Sequence, residues 1–149
     1  MKMKFINLFV YLLILFSFGS FSPAIAQNLK VTITKLHSNN GVVLVSLFKD
    51  GSGYPDNPEK AFGKEKGYIV EKNSTIIFKN VPSGSYAIAI LHDENNNQRM
   101  DKNMLGIPKE GYGFSNNVSA AFGPPSYKRA SFIHSQNTPT TILIKAKYL

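Results

Sequence analysis

The stretch Ser85-Tyr86-Ala87-Ile88-Ala89-Ile90-Leu91 decides the fold. Successive side chains of an extended chain point to opposite sides, so Tyr86, Ile88 and Ile90 share one face and Ala87, Ala89 and Leu91 the other. Both faces are apolar, which predicts a strand in the middle of its sheet with cover on both sides. Val42 to Phe48 is a second, nearly continuous apolar run and reads as another central strand. Further out, Leu29, Val31 and Ile33 alternate with Lys30, Thr32 and Thr34, the pattern of a half-buried strand. Thr75–Phe78, Arg129–Ile133 and Thr140–Tyr148 are expected strands, and Tyr68–Val70 a weak one. The spacing predicts a tight hairpin at Ser38-Asn39-Asn40-Gly41 and a turn at Pro82-Ser83-Gly84. Lys49 to Gly67 reads as irregular, with Asn57 as N-cap and Pro58 as first residue of a short helix. No long segment has helical periodicity. The expected fold is all-β, an immunoglobulin-like or transthyretin-like β-sandwich of about seven strands. It carries one long ordered loop, Asp93–Lys128, which is too rich in aromatics (Tyr112, Phe114, Phe122, Tyr127) for disorder.

The chain has 149 residues, enough for one domain once its beginning is set aside. Lys2 and Lys4 precede an apolar run from Phe5 to Phe18, a helix-breaking Gly19–Pro23 and a small-residue site at Ala24-Ile25-Ala26. That is the three-part pattern of a secretory signal peptide, residues 1–26, with cleavage after Ala26. The run is roughly 14 residues, short of the ~20 that cross a bilayer. No transmembrane segment is expected after cleavage, and the remaining domain is 27–149. Export would place it in the periplasm, on the outer-membrane surface or outside the cell. There is no cysteine, so no disulfide is available, zinc and redox sites lack cysteines, and the three histidines His37, His92 and His134 have no metal-ligand spacing between them. The net charge of +8 loses two units with the leader, and the lysines are scattered rather than clustered. A solvated basic surface follows, with no nucleic-acid partner.

The most informative polar segment is His92-Asp93-Glu94-Asn95-Asn96-Asn97-Gln98-Arg99-Met100-Asp101. Oxygen-bearing side chains at Asp93, Asn95, Asn97 and Asp101, with the Arg99 carbonyl, have the alternate spacing that converges on a hard cation such as Ca2+. The match to a calcium loop is partial: Gln98 stands where a glycine is expected, and Met104 where a bidentate glutamate belongs. An Asx-rich turn closed by its own amides is the alternative. Next, Gly111-Tyr112-Gly113-Phe114-Ser115-Asn116-Asn117 spaces aromatics with glycines and ends in amides. Tyr112, Phe114, Asn116 and Asn117 are therefore the candidate ligand-binding residues. The alternative is that the aromatics plug one end of the sandwich. No catalytic residue is assigned. A hydrolase would have to combine His92 with Asp93, Asp101 or Glu110, and a purely structural scaffold is a third reading.

These blocks, with Gly106-Ile107-Pro108-Lys109-Glu110 and Phe122-Gly123-Pro124-Pro125, resemble the exported bacterial proteins grouped as "domain of unknown function 2141". So do Gly41-Val42-Val43-Leu44-Val45-Ser46-Leu47, Pro55-Asp56-Asn57-Pro58 and Pro82-Ser83-Gly84-Ser85-Tyr86-Ala87. The likeness runs in order along nearly the whole of 27–149. It implies a periplasmic or surface β domain without an assigned activity. The loop of that family reads Asp-x-Asn-Gly-Asn-Gly-x-x-Asp; here Asn96 and Gln98 stand in place of its glycines, which weakens the expected ability of the loop to take positive φ. The reading is a binding or accessory module whose partner is an envelope polysaccharide or another envelope protein.

Overall fold

The computed structural model describes residues 28–120 and 123–149; the expected leader lies outside the described residues. Eight strands form two sheets, β1 (Leu29–Thr34), β2 (Val42–Lys49), β3 (Gly63–Gly67), β4 (Ser74–Phe78), β5 (Gly84–Asp93), β6 (Gly111–Phe114), β7 (Phe132–His134) and β8 (Thr140–Lys145). The small sheet has the order β4-β1-β8, antiparallel between β1 and β4 and parallel between β1 and β8. The large sheet runs β3-β2-β5-β6, all antiparallel, with β7 paired to the opposite end of β5. The two apolar runs singled out from sequence, β2 and β5, are the two inner strands of the large sheet.

The sheets close over one core. Leu29, Val31 and Ile33 of β1 meet Val43, Val45 and Leu47 of β2, and Tyr86, Ile88 and Ile90 of β5 complete it with Ile144 of β8. Each such side chain stabilises the fold by roughly 1.5–3 kcal/mol relative to exposure. A second apolar cluster lies on the far face of the large sheet, where Ala87, Tyr112, Phe114 and Ala130 are packed with Tyr54 and Tyr127. The short helix α1 (Tyr127–Ala130) brings Tyr127 over that face, and the Tyr127 hydroxyl donates to the Ser85 carbonyl at 2.8 Å.

Several local expectations are corrected. There are eight strands, because two formed where the sequence read as irregular. Gly63-Lys64-Glu65-Lys66-Gly67 has no apolar alternation, yet it is β3: as an edge strand it needs only to offer its backbone to β2. Within the expected loop 93–128, Gly111–Phe114 is β6, whose strand period was masked by its glycines. Tyr68–Val70 is no strand; Val70 makes only a bridge to Asn73 across a turn. The strand expected from Arg129 begins at Phe132, because α1 occupies Tyr127–Ala130. Pro58–Lys60 is a 3-10 turn, and Asn57 makes no side-chain capping bond there.

Ser38-Asn39-Asn40-Gly41 does not close a hairpin. It carries the chain from β1 in one sheet to β2 in the other. Gly41 is needed there for a different reason: φ is +67° and a Cβ would lie 1.9 Å from the Asp93 carbonyl oxygen. The strand registers gather the connections 35–41, 68–73 and 94–110 at one end of the sandwich, together with the segment 146–149.

Candidate functional site

The outward rows of the large sheet follow directly from its registers. Lys66, Leu44, Leu91 and Tyr112 stand side by side on β3, β2, β5 and β6, and Lys64, Ser46, Ala89 and Phe114 form the next row. Neighbouring strands are about 4.8 Å apart, so the bed is roughly 14 Å from its lysine edge to its aromatic edge. Gly111 and Gly113 alternate with the aromatics and face inward. A Cβ on Gly111 would sit 2.4 Å from the Tyr148 ring, and one on Gly113 would sit 2.7 Å from Ile144. The glycines thus let β6 lie close against the core, and by alternation they aim Tyr112 and Phe114 at the outer face.

Half of this face is roofed. Phe48, Phe114 and Tyr127 surround Tyr54 in edge-on aromatic contacts with ring centroids 5.4–6.2 Å apart. The Tyr54 hydroxyl is buried and has no hydrogen-bond partner among the described residues. Burial first, and then the charge of Asp56, push its pKa well above the usual tyrosine range. The other half is an open groove of about 970 Å3. Leu44, Ala89, Leu91 and Tyr112 line it, and Met100, Ile107 and Pro108 stand on one side, Pro55 and Pro58 on another. Its cationic lining includes Lys64, Lys66, Arg99 and Lys102. Lys64 is paired with Glu59 at 2.8 Å; the other three make no ion pair among the described residues.

The loop 94–110 builds that side, and buried carboxylates hold it. Asp93 is fully buried, and its two oxygens accept the N–H groups of Asn97 (3.0 Å) and Gln98 (2.9 Å). Glu110, 4% exposed, accepts the N–H groups of Glu94 (3.1 Å) and Asp101 (3.0 Å). Charge-assisted bonds of this kind are the strong ones. The Asn95 and Asn97 amides donate to the two oxygens of Asp101 at 2.7 and 3.0 Å, and their own oxygens accept the N–H groups of Asn97 and Arg99. Side chains 95, 97 and 101 therefore converge on one another. Asn96 and Gln98 hold φ of +61° and +62°, so the loop keeps positive φ where the resemblance has glycines. Among the described residues, no group of three or more His, Cys, Asp or Glu side chains is placed to hold a metal ion.

The remaining expected site residues fall in different places. Tyr112 and Phe114 line the groove, but at 8% and 9% exposure they also belong to the second cluster. Asn116 and Asn117 turn away from it and stitch the fold. Asn116 donates to the carbonyls of Arg129 and Ser131. Asn117 donates to Leu143 and accepts from Lys145, covering the open edge of β8 as another strand would. His92 is fully buried on the core side. Its Nε2 lies 2.9 Å from the Asn40 carbonyl, which only accepts, so Nε2 carries the hydrogen. Nδ1 then accepts from the Tyr148 hydroxyl at 2.6 Å, and that hydroxyl accepts the His37 N–H. Burial chiefly pushes the Tyr148 pKa up from its ordinary value. The nearest carboxylate to His92 is Glu94, at 3.7 Å. No hydrogen bond links His92 to Asp93, Asp101 or Glu110 among the described residues, so the geometry does not assemble the group a hydrolase would use.

The groove lining at Leu44, Ala89 and Leu91 was not singled out from sequence as a site. Its signal was present: β5 is apolar on the face turned away from the core. A family model described as "Uncharacterized protein conserved in bacteria (DUF2141)" matches residues 31–142. No curated protein and no solved structure matches the chain.

Proposed function

The chain belongs to the DUF2141 family, and on that premise we propose that it is an exported binding module of the cell envelope, with an envelope polysaccharide or protein partner seated in the groove over β3, β2, β5 and β6. The observation that carries this is a sheet face of Leu44, Ala89 and Leu91 that the described residues leave open beside a roofed half, with lysines at one edge and aromatics at the other. Concave, mostly apolar surfaces with a few placed polar groups are what ligand sites have in common. The leader-like residues 1–26 support export. The test is ligand-independent. A photoactivatable benzoyl-phenylalanine at Ser46, in the middle of the bed, should cross-link to an envelope component in cells. The same group at Ile77, exposed on the back of the small sheet, should not. Equal cross-linking from both positions, or none from Ser46, ends the reading.

A second reading concerns the loop. The convergence of Asn95, Asn97 and Asp101 favours a Ca2+ ion bound there with Asp93 and the Arg99 carbonyl. Binding would require the two amides to exchange the N–H groups now facing Asp101 for oxygens facing the ion, giving up the bonds to Asn97 N and Arg99 N, and would compete with the Asn97 and Gln98 N–H groups for the Asp93 oxygens. A rise in melting temperature with Ca2+ that EDTA reverses supports it, and identical melting in both sinks it.

A further inference from the structure

The loop 94–110 carries a finger whose Lys102, Ile107 and Pro108 line the groove but whose tip, Met104-Leu105, neither the core nor the groove explains. Lys102 and Pro108 form an isolated antiparallel bridge, and the Lys109 N–H donates to the Asp101 carbonyl at 2.8 Å. Inside that rung the Asn103 N–H donates to the Ile107 carbonyl, and the Asn103 side-chain oxygen accepts the N–H groups of both Leu105 and Ile107. The backbone of the tip is therefore tied down by its own bonds. Yet the tip holds Met104, fully exposed, and Leu105, 83% exposed. An ordered finger has no folding reason to present two large apolar side chains to water.

The surroundings of the tip are basic. Arg99, Lys102 and Lys109 flank it, all exposed and without an ion pair among the described residues. The one acid within the finger, Asp101, is occupied by the Asn95 and Asn97 amides, and Glu110 is buried under two backbone N–H groups. Tyr68 and Val70, 79% and 69% exposed, lie on the 68–73 turn at the same end of the sandwich, where Lys66 and Lys72 alternate with the exposed Glu65 and Glu71. An apolar tip flanked by exposed cations is the chemistry that meets an anionic lipid surface: the tip enters the acyl boundary while the cations stay among the headgroups. Among the described residues no helix is long and apolar enough to cross a membrane, so this contact would be peripheral.

We propose that the finger Asp101–Lys109 docks the domain on an anionic bilayer surface, inserting Met104 and Leu105 and placing Arg99, Lys102 and Lys109 against the lipid headgroups. The proposal does not rest on the groove having a ligand. All eight strands and both apolar clusters of the described residues lie within 28–149, so the test uses residues 27–149, without the expected leader. The protein is co-sedimented with phosphatidylcholine vesicles, with and without phosphatidylglycerol.

Binding is expected only with phosphatidylglycerol present, and it should weaken as salt is raised. The double variant Met104→Asp with Leu105→Asp should weaken it at least about tenfold. Lys102→Glu and Lys109→Glu should each weaken it about fivefold or more. These residues are exposed, so their replacement leaves the packing alone. Ile133→Asp, exposed on β7 at the other end, should bind as the parent does. The proposal is overturned if the parent binds neither vesicle, if it binds both equally, or if the Met104/Leu105 variant binds unchanged. It is also overturned if sedimentation velocity shows self-association that the double variant abolishes while vesicles go unbound, since the finger would then fit a second copy of the chain.

Discussion

The outward faces of the two sheets are set by the same strand alternation and carry different chemistry. On the small sheet the rows read Ile77, Lys30, Thr141 and Thr75, Thr32, Leu143, polar and apolar mixed, with Ile77 and Leu143 half-exposed. On the large sheet they read Lys66, Leu44, Leu91, Tyr112 and Lys64, Ser46, Ala89, Phe114. A sandwich needs one apolar face per sheet, and the small sheet has one. The second apolar face of the large sheet has to be covered by something else. Tyr54, α1 and Val118–Ala120 cover part of it, and the remainder is the groove. On the proposed reading, it is this surplus of apolar surface on one sheet, rather than any polar constellation, that would receive a partner.

The comparison can be broken most forcefully at Phe48, which is fully buried although it points away from the main core. Phe48→Ala should cost about 3–5 kcal/mol in urea unfolding. Ile77→Ala, on the outer face of the small sheet, should cost about 0.5 kcal/mol or less. Similar costs at the two positions would mean that the outer faces do not differ. The wall of the groove offers a smaller change of opposite sign. Gln98 holds a left-handed backbone that costs a side-chain-bearing residue roughly 1 kcal/mol or more, partly offset because glycine frees the unfolded chain. Gln98→Gly should therefore raise stability by about 0.5–1 kcal/mol, read as a higher melting temperature. Asn96→Gly should gain less, because asparagine tolerates this conformation.

The smallest effect is at the roof. Tyr54→Phe removes a buried hydroxyl without a partner and should be neutral or stabilising by about 1 kcal/mol at pH 7. Its clearer signature is alkaline. The folded state holds the Tyr54 proton above its ordinary pKa of 10.0. As pH climbs past 10 the unfolded chain loses that proton first, so stability falls with rising pH. The Phe variant should lack that share of the decline, as measured by denaturant midpoints on either side of pH 10.

Much of this was legible in the residues. The alternation in Leu29–Thr34 and the two-faced apolar runs of β2 and β5 announced a sandwich with those two strands inside its larger sheet. The Asp93–Asp101 segment was legible as an Asx-rich loop, but which way its amides face was not: Asn95 and Asn97 donate to Asp101 while their oxygens accept backbone N–H groups. β3 and β6 were not legible, for different reasons. Gly63–Gly67 has no apolar pattern because an edge strand is specified by the neighbour that needs its backbone. Gly111–Phe114 has only two residues on each face, and glycine contributes no side chain to a periodicity. Asn117, whose side chain pairs with β8 in place of a backbone, could not be told from any other loop amide.

The sequence by itself determined the class of fold, because strand period and apolar alternation are local properties written into each segment. It also determined that one strand would need cover on both faces. Only the tertiary structure decided which residues stand in a row, since register is a long-range choice made when the sheets close. That choice set Lys66 across from Tyr112, turned Asn116 and Asn117 into stitches, buried His92, and left Met104 and Leu105 in water.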